Sequence, residues 1–368
     1  MAKQDKYKPR SDGRYFTQVS TGKFNDDGKP IRISLYAKSS KELEKLVATT
    51  KYEIEHGTYA HDKGITFGEY ANKWLEVSKA SRSIRTKEMY RNIIKNHIVF
   101  LENRKLKDIT KSDIQLQINK TMDKPRVCEQ IKITVKQILD SAIDDGLVIK
   151  NPCKNIELPR RVKKQQRALT EDEKVALKTV KFTPMEKAFI YILYGCGLRP
   201  GELYAITRSD IDFKNLEINI NKSISFDGKK PVVVYPKTNS GIRTLQAPKF
   251  VFDAITEYIN TTTNIILFSD ENGQHRTKSG YNNIFVQALK KINNEINNDK
   301  PIKDASISDL TMYTFRHNYC TELYYSGISL KEAQRLMGHA SYEMIMKVYS
   351  HLDEKKENTR AKLERLCL

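Results

Sequence analysis

The sequence predicts a multidomain, mainly α protein with small β elements: a small αβ module, a helical domain, then a mixed α/β domain. Three observations carry that reading. Apolar residues recur at helical spacing through most of the chain, while period-two alternation is confined to the first 40 residues and to 216–246. A length of 368 residues exceeds one ordinary domain. A proline-opened basic stretch, Pro159-Arg160-Arg161-Val162-Lys163-Lys164-Gln165-Gln166-Arg167, interrupts the pattern as an exposed linker does. The expected boundaries are 1–62, 63–158, a linker at 159–168, and 169–368.

In the first module, Arg14 to Ser20 and Ile31 to Ala37 alternate as strands around the turn residues Asn25-Asp26-Asp27-Gly28. Ser39-Ser40 then offers N-caps for a helix through Leu43, Leu46 and Val47 towards Gly57. About 60 residues is little for an independent core, so the module reads as an appendage.

Thr66 with Glu69 forms a capping box for the first helix of the next segment, whose apolar stripe is Phe67, Tyr70, Ala71, Trp74 and Leu75. Met89, Tyr90, Ile93, Ile94 and His97 mark a second helix, Thr110 and Asp113 begin a shorter third, and Val127 to Ala142 forms a fourth, stopped at Gly146. Lys79, Arg82, Arg85, Lys87, Arg91 and Lys95 occupy the polar faces. Beyond the linker, the box Thr170/Glu173 starts helices to about Ile206. Short strands follow between Leu216 and Gln246, then mostly helix.

The chain carries 64 Lys plus Arg against 45 Asp plus Glu, a net charge of +19, and +10 of it falls within residues 64–165. Nucleic acid is the partner such an excess favours, because neutralising phosphates supplies most sequence-independent affinity. A solvated, uneven surface fits the same numbers. A membrane partner does not, since no basic amphipathic helix or lipidation motif is present. The longest apolar runs, such as Ala188 to Cys196, are about half a membrane span, and MAKQDKYKPR lacks the apolar region of a secretory leader. Cys128, Cys153, Cys196, Cys320 and Cys367 are scattered and odd in number, as expected of reduced thiols in a cytoplasm. The seven histidines form no metal-ligand pattern, and neither a phosphate-binding GxxxxGK[ST] loop nor a GxSxG elbow occurs.

Two stretches stand out. In Tyr194-Gly195-Cys196-Gly197-Leu198-Arg199-Pro200-Gly201-Glu202-Leu203, an apolar helix ends at Gly195 and Gly197 and another begins at Pro200, holding Arg199 at a rigid junction. Arg199 also reads as a capping or salt-bridged residue, with Glu202 as its partner. The second stretch runs from Tyr313 to His351 and holds Arg316-His317, then Leu336-Met337-Gly338-His339, then Tyr349. Gly338 would end a helix and place His339 in the following turn.

In that order, GLRPGE, Arg-His, Met-Gly-His and a tyrosine before Ser-His, the sequence resembles the tyrosine recombinase (phage-type integrase) family. The resemblance extends to Lys237 in Tyr235-Pro236-Lys237-Thr238-Asn239-Ser240-Gly241-Ile242-Arg243, which looks like the family's β-hairpin lysine with Asn239-Ser240-Gly241 as the turn. Residues 64–158 resemble the core-site binding domain, and the first 60 the arm-type DNA-binding domain of integrases that bind two classes of site.

The resemblance implies a site-specific recombinase of a mobile element, phage or integrative conjugative, that cuts and rejoins double-stranded DNA with no cofactor, metal or ATP. Tyr349 would be the nucleophile and form a 3′-phosphotyrosine. Arg199 and Arg316 would clamp the phosphate, Lys237 would protonate the leaving 5′-oxygen, His339 would hydrogen-bond the phosphate, and Glu202 would support the site. The chemistry independently asks for such groups: a nucleophile, cations for the developing charge and a leaving-group acid, with nearby arginines favouring the phenolate. Tyr313 departs from the pattern, standing where the family usually has histidine; a phenol donates hydrogen bonds but accepts protons poorly at neutral pH. His317 reads as a buried packing residue. Arg82, Arg85, Lys87, Arg91, Lys95, Arg160, Arg161, Lys163 and Lys164 would hold the DNA backbone. A homo-tetramer on core and arm sites is implied in the cytoplasm of a bacterial host, with a directionality factor and a DNA-bending protein as accessory partners. Leu352 to Leu368 would pack on a neighbouring subunit through Leu363, Leu366 and Leu368, or form a charged tail. The rival readings are a non-catalytic DNA-binding regulator on the same scaffold, a topoisomerase with the same nucleophile, and a metal-dependent nuclease.

Overall fold

Alternating apolar residues on two short segments give the first pair of strands. In a computed structural model that describes residues 6–24, 27–56, 64–161, 167–236, 239–297, 302, 307–338, 341–343, 345–346 and 348–349, β1 (Tyr15–Phe24) pairs antiparallel with β2 (Pro30–Ala37). Tyr15 stands opposite Ala37 and Ser20 opposite Arg32, with an irregularity between Ser20 and Phe24. Asn25 and Asp26 of the expected turn lie outside the described residues. The Ser39 hydroxyl accepts from the Glu42 amide and caps α1 (Ser40–Glu55). Val19, Ile33, Leu35, Ala37 and Leu43 form a small core between the helix and one face of the hairpin. The described chain divides into two compact units, 1–162 and 163–368.

The helical body of the first unit follows its caps. Thr66 and Glu69 exchange hydrogen bonds at the start of α2 (Phe67–Val77), and Ser83 caps α3 (Ile84–His97). Thr110 and Asp113 form the box of α4 (Lys111–Asn119), and Pro125 opens α5 (Pro125–Asp144). Gly146, at φ 69°, lets the chain turn away behind α5 as only glycine does without strain. Their stripes meet in a second core that includes Phe67, Trp74, Ile93, Ile114, Ile131 and Ile138. The Trp74 and Tyr90 rings pack edge to face at 5.1 Å, and the Lys79 ammonium lies 4.7 Å from the indole centroid.

The second unit opens on the Thr170/Glu173 box of α6 (Glu171–Thr179). Arg167, just before it, donates to both Glu173 and Asp309 and so ties the entry of the unit to a segment 142 residues away. α7 (Pro184–Cys196) is apolar nearly all round and forms the centre of the third core, with Phe189 against Phe268 at 5.1 Å. It is followed by α8 (Pro200–Ala205). Five short strands come next: β3 (Ile211–Asp212), β4 (Glu217–Ile220), β5 (Ser223–Asp227), β6 (Lys230–Val234) and β7 (Arg243–Gln246). Then come α9 (Lys249–Ile259), α10 (Lys278–Asn297), α11 (Met312–Tyr325) and α12 (Leu330–Met337).

Two expectations change. Gly195 lies inside α7 and only Gly197, at φ 58°, caps it. The reason for glycine at 195 is close packing: a Cβ there would come within 2.5 Å of Val251. The strands on either side of Lys237 also do not form a hairpin with each other. β6 pairs with β5 across a tight turn, whereas β7 pairs with β4 in the sheet β3-β4-β7. Asn239–Gly241 is a single 3₁₀ turn leading into β7.

Candidate active site

Arg199 occupies the residue before Pro200, extended at φ −68° and ψ 146°, where α7 has ended and α8 begins. Its backbone N–H donates to Glu202 Oε2 at 3.0 Å, closing the first turn of α8, and its Nη1 donates to Glu202 Oε1 at 2.7 Å. Its Nη2 donates to the Gly338 carbonyl at 2.8 Å. Both structural roles considered from the sequence are therefore real, and the side chain still keeps 37% of its surface open.

Arg316, one turn into α11, reaches the same place from the other side. It donates to the Gly197 carbonyl at 2.8 Å and to the Met337 carbonyl at 2.6 Å. Burial, and then the positive charge of Arg199, pull its pKa down to about 9. At neutral pH it remains a cation, held where positive charge is in surplus and an anion is welcome.

A third guanidinium completes the cluster. Arg243, on β7, donates Nη1 and Nη2 to the two oxygens of Glu202 at 3.2 and 2.9 Å, and Nε to the Leu336 carbonyl at 2.8 Å. The last carbonyls of α12 and its cap, at Leu336, Met337 and Gly338, are thus each taken by a different arginine from a different segment. A helix end leaves such carbonyls without partners and carries partial negative charge, so cations settle there. Glu202 is the one carboxylate among these groups. Burial pushes its pKa up, but the hydrogen bonds and charge of Arg243, then of Arg199, reverse this and leave it at about 2.

Gly338, at φ 60°, ends α12 and packs against the cluster: a Cβ there would lie 2.6 Å from Arg243 Nη1 and 3.1 Å from the Ser240 carbonyl. Gly338→Ala is expected to cost about 1–2 kcal/mol for the left-handed backbone alone, with more from displacing Arg243. Thermal melting of the variant checks this; an unchanged midpoint would refute the close packing.

The other expected site residues fall differently. Tyr313 lies in the first turn of α11, one turn before Arg316, and is 47% exposed. His317 is half-buried rather than buried, because it lies beside the inward face of α11 that carries Arg316 and Cys320. Lys237 and His339 lie outside the described residues, as do Lys163, Lys164 and 352–368. Tyr349 is 8% exposed and packs edge to face on Tyr324, with ring centroids 5.0 Å apart. Its hydroxyl has no hydrogen-bond partner among the described residues. Burial, and then the nearby Cys320 thiol, push its pKa up to about 12, the reverse of the arginine activation expected from the sequence. The physical reason is that the ring is lodged in the hydrophobic core.

Arg243 is the residue sequence reasoning passed over. It stands two residues before Leu245 on a strand, and Leu245 is fully buried, so alternation sets Arg243 on the inward face. A cation at an inward strand position needs a buried partner. That signal was available.

Residues 167–356 match the phage integrase family, and residues 66–122 match the phage integrase N-terminal SAM-like domain. The chain belongs to the phage integrase family. The integrase is accordingly a tyrosine-type site-specific recombinase, an enzyme of DNA strand breakage and rejoining. It is 27% identical to a tyrosine recombinase XerC-like protein of Caldanaerobacter subterraneus subsp. tengcongensis, with 97% of each chain covered. It is 25% identical to the ICEBs1 integrase of Bacillus subtilis, over 96% of this chain and 97% of that one. In fold the integrase resembles the Tn1549 transposon integrase solved with transposon right-end DNA, at a TM-score of 0.66, 23% identity and coverage of 83% of this chain and all of that one. It also resembles a lambda integrase from a tetramer bound to a Holliday junction, at a TM-score of 0.58, 18% identity and 93% coverage of both. No helix among the described residues is long and apolar enough to cross a membrane.

On the first unit, Arg82, Arg85, Arg91 and Lys95 are exposed on and around α3, and Lys87 is half-buried. Arg160 and Arg161 are exposed at the end of the unit, with Arg161 paired to Glu129 at 3.3 Å.

Proposed function

We propose that the chain is the integrase of a mobile element, acting in the cytoplasm of a bacterial host on double-stranded core and arm sites. Tyr349 attacks the scissile phosphorus, the bond to the 5′-oxygen breaks, and a 3′-phosphotyrosine forms. Arg199 and Arg316 hold the two nonbridging oxygens, Lys237 gives its proton to the departing 5′-oxygen, and His339 hydrogen-bonds the phosphate. Tyr313 adds a phenolic donor, and Glu202 holds Arg199. The carrying observation is the convergence of Arg199 and Arg316, from helices far apart in sequence, on the neighbouring carbonyls of Gly338 and Met337. Guanidiniums so placed offer paired donors to one phosphate. For the attack, Tyr349 has to leave its place against Tyr324.

The domain plan follows. Residues 1–62 form the arm-binding module, 63–158 the core-binding domain, 159–168 a linker along the backbone, and 169–368 the catalytic domain. The outward face of the hairpin supports the first assignment. Phe16 and Tyr36 pair across the strands at 4.9 Å, with the Arg10 and Arg14 guanidiniums 5.2 and 5.3 Å from their rings, a surface of aromatic and cationic groups. Arg82, Arg85, Lys87, Arg91, Lys95, Arg160, Arg161, Lys163 and Lys164 grip phosphates of the core site, and four protomers assemble on the recombining DNA.

The test is a nicked core-site duplex, incubated with the protein in EDTA and resolved on a denaturing gel. A covalent protein–DNA band is expected from the wild type. Arg199→Ala should lose the band by about 10²–10³-fold, the cost of one charge-stabilising donor, while gel-shift affinity stays within a few-fold. No band and no cleavage from wild-type protein that binds the duplex would put the regulator in its place, and cleavage without a band, seen only when EDTA is left out, would put a metal-dependent nuclease there.

A further inference from the structure

Arg243 takes no part in the assignment above, yet every nitrogen of its guanidinium is bonded within the protein. Its side chain is 2% exposed, and Nε, Nη1 and Nη2 all donate within the protein. Such a group is shielded from a phosphate on the surface. What it does touch is informative: the carboxylate that holds Arg199, and the helix end whose next residue after Gly338 is His339.

Glu202 accepts from both arginines. Alone with Arg199, it would form a neutral pair, and a neutralised guanidinium contributes little to an oxyanion. With Arg243 sharing the carboxylate, two cations face one anion, and one positive charge is left over on the partly exposed member, Arg199. The bond from Arg243 Nε to the Leu336 carbonyl, and its contact at Gly338, fix the turn beneath Arg199.

We propose that Arg243 is a positioning residue for strand cleavage, dividing the charge of Glu202 so that Arg199 meets the phosphate as a full cation and anchoring the end of α12 below it. This rests on the assignment of Arg199 to the scissile phosphate. It predicts a loss that depends on the charge of the substrate, which a general weakening of the fold does not produce.

The experiment compares wild type, Arg243→Met and Arg243→Lys on two nicked core-site duplexes at saturating protein. One carries the normal phosphodiester at the cleavage point and the other a neutral methylphosphonate, and the initial rate of covalent adduct is read with gel-shift affinity alongside. Arg243→Met should slow the phosphodiester reaction by about 10²-fold, the scale of a misplaced charge-stabilising group. It should slow the methylphosphonate reaction at least tenfold less, with affinity unchanged. Arg243→Lys, which keeps the charge without the paired bonds, should slow the phosphodiester reaction less than Arg243→Met. If Arg243→Met does not fold, the comparison rests on Arg243→Lys, whose loss must again be larger on the phosphodiester. Equal slowing on both substrates, or none on the phosphodiester, overturns the proposal. An inactive wild type overturns it together with the functional reading, whereas active wild type with equal slowing overturns the proposal alone.

Discussion

Tyr349→Phe is expected to remove the covalent protein–DNA adduct, by at least about 10⁴-fold, the scale seen when a covalent nucleophile is deleted. The same substitution should leave the fold as stable as before or raise it by up to about 1 kcal/mol. The two halves have one cause. In this structure the Tyr349 ring packs on Tyr324 and its hydroxyl is buried with no partner among the described residues. Phenylalanine keeps the ring contact and discards a buried polar atom that no described residue compensates. A denaturing gel with the nicked duplex reads the first half, and a melting curve the second. An adduct from Tyr349→Phe would assign the nucleophile elsewhere. A marked drop in melting temperature would mean that the hydroxyl is bonded in the native state.

Glu202→Ala is expected to be the most destabilising single change at the site, by about 3–5 kcal/mol, because it strands a buried cation without its anion. Arg243 cannot turn to water when its partner is gone, since its side chain is 2% exposed. Arg199 is better placed, with 37% of its side chain open. The pH dependence has a definite sign. Glu202 titrates near 4.5 in an ordinary setting and at about 2 here. Its stabilising contribution is therefore complete above about pH 4.5 and disappears as the pH falls through 2. Measured against Glu202→Gln, the wild-type advantage should shrink between pH 5 and pH 2 by an amount on the order of 3 kcal/mol. A difference that stays constant over that range would show that the carboxylate is not held below its ordinary range.

Much of this was legible from short stretches of sequence because the physics is short-ranged. The boxes at Thr66, Thr110 and Thr170 complete themselves within three residues and fixed where α2, α4 and α6 begin. Arg199 with Glu202 is also a local pair, one turn apart. What escaped depends on distant partners. Arg243 is explained by Glu202 and Leu336, 41 and 93 residues away. The strands beside Lys237 looked like a hairpin because they are close in sequence, but each found a better neighbour in β5 or β4. Gly195 looked like a helix stop, and its reason is Val251 on another helix. The environment of Tyr349 is set by Tyr324 and the surrounding core, which no spacing within 313–351 reveals.

The chain has a single tryptophan, Trp74, buried against Tyr90 and Lys79 in the helical body of the first unit. Its emission is therefore a private signal of that body. Where Glu202→Ala or Gly338→Ala lowers the melting point of the second unit, helical circular dichroism reports that unit and the indole reports the first. A mismatch between the two optical melts would show the two units unfolding separately, and coincident melts would show them unfolding together. Tyr90 of α3 packs directly on the indole, so the phosphate contacts proposed for α3 should be readable as a change in tryptophan emission with no label added.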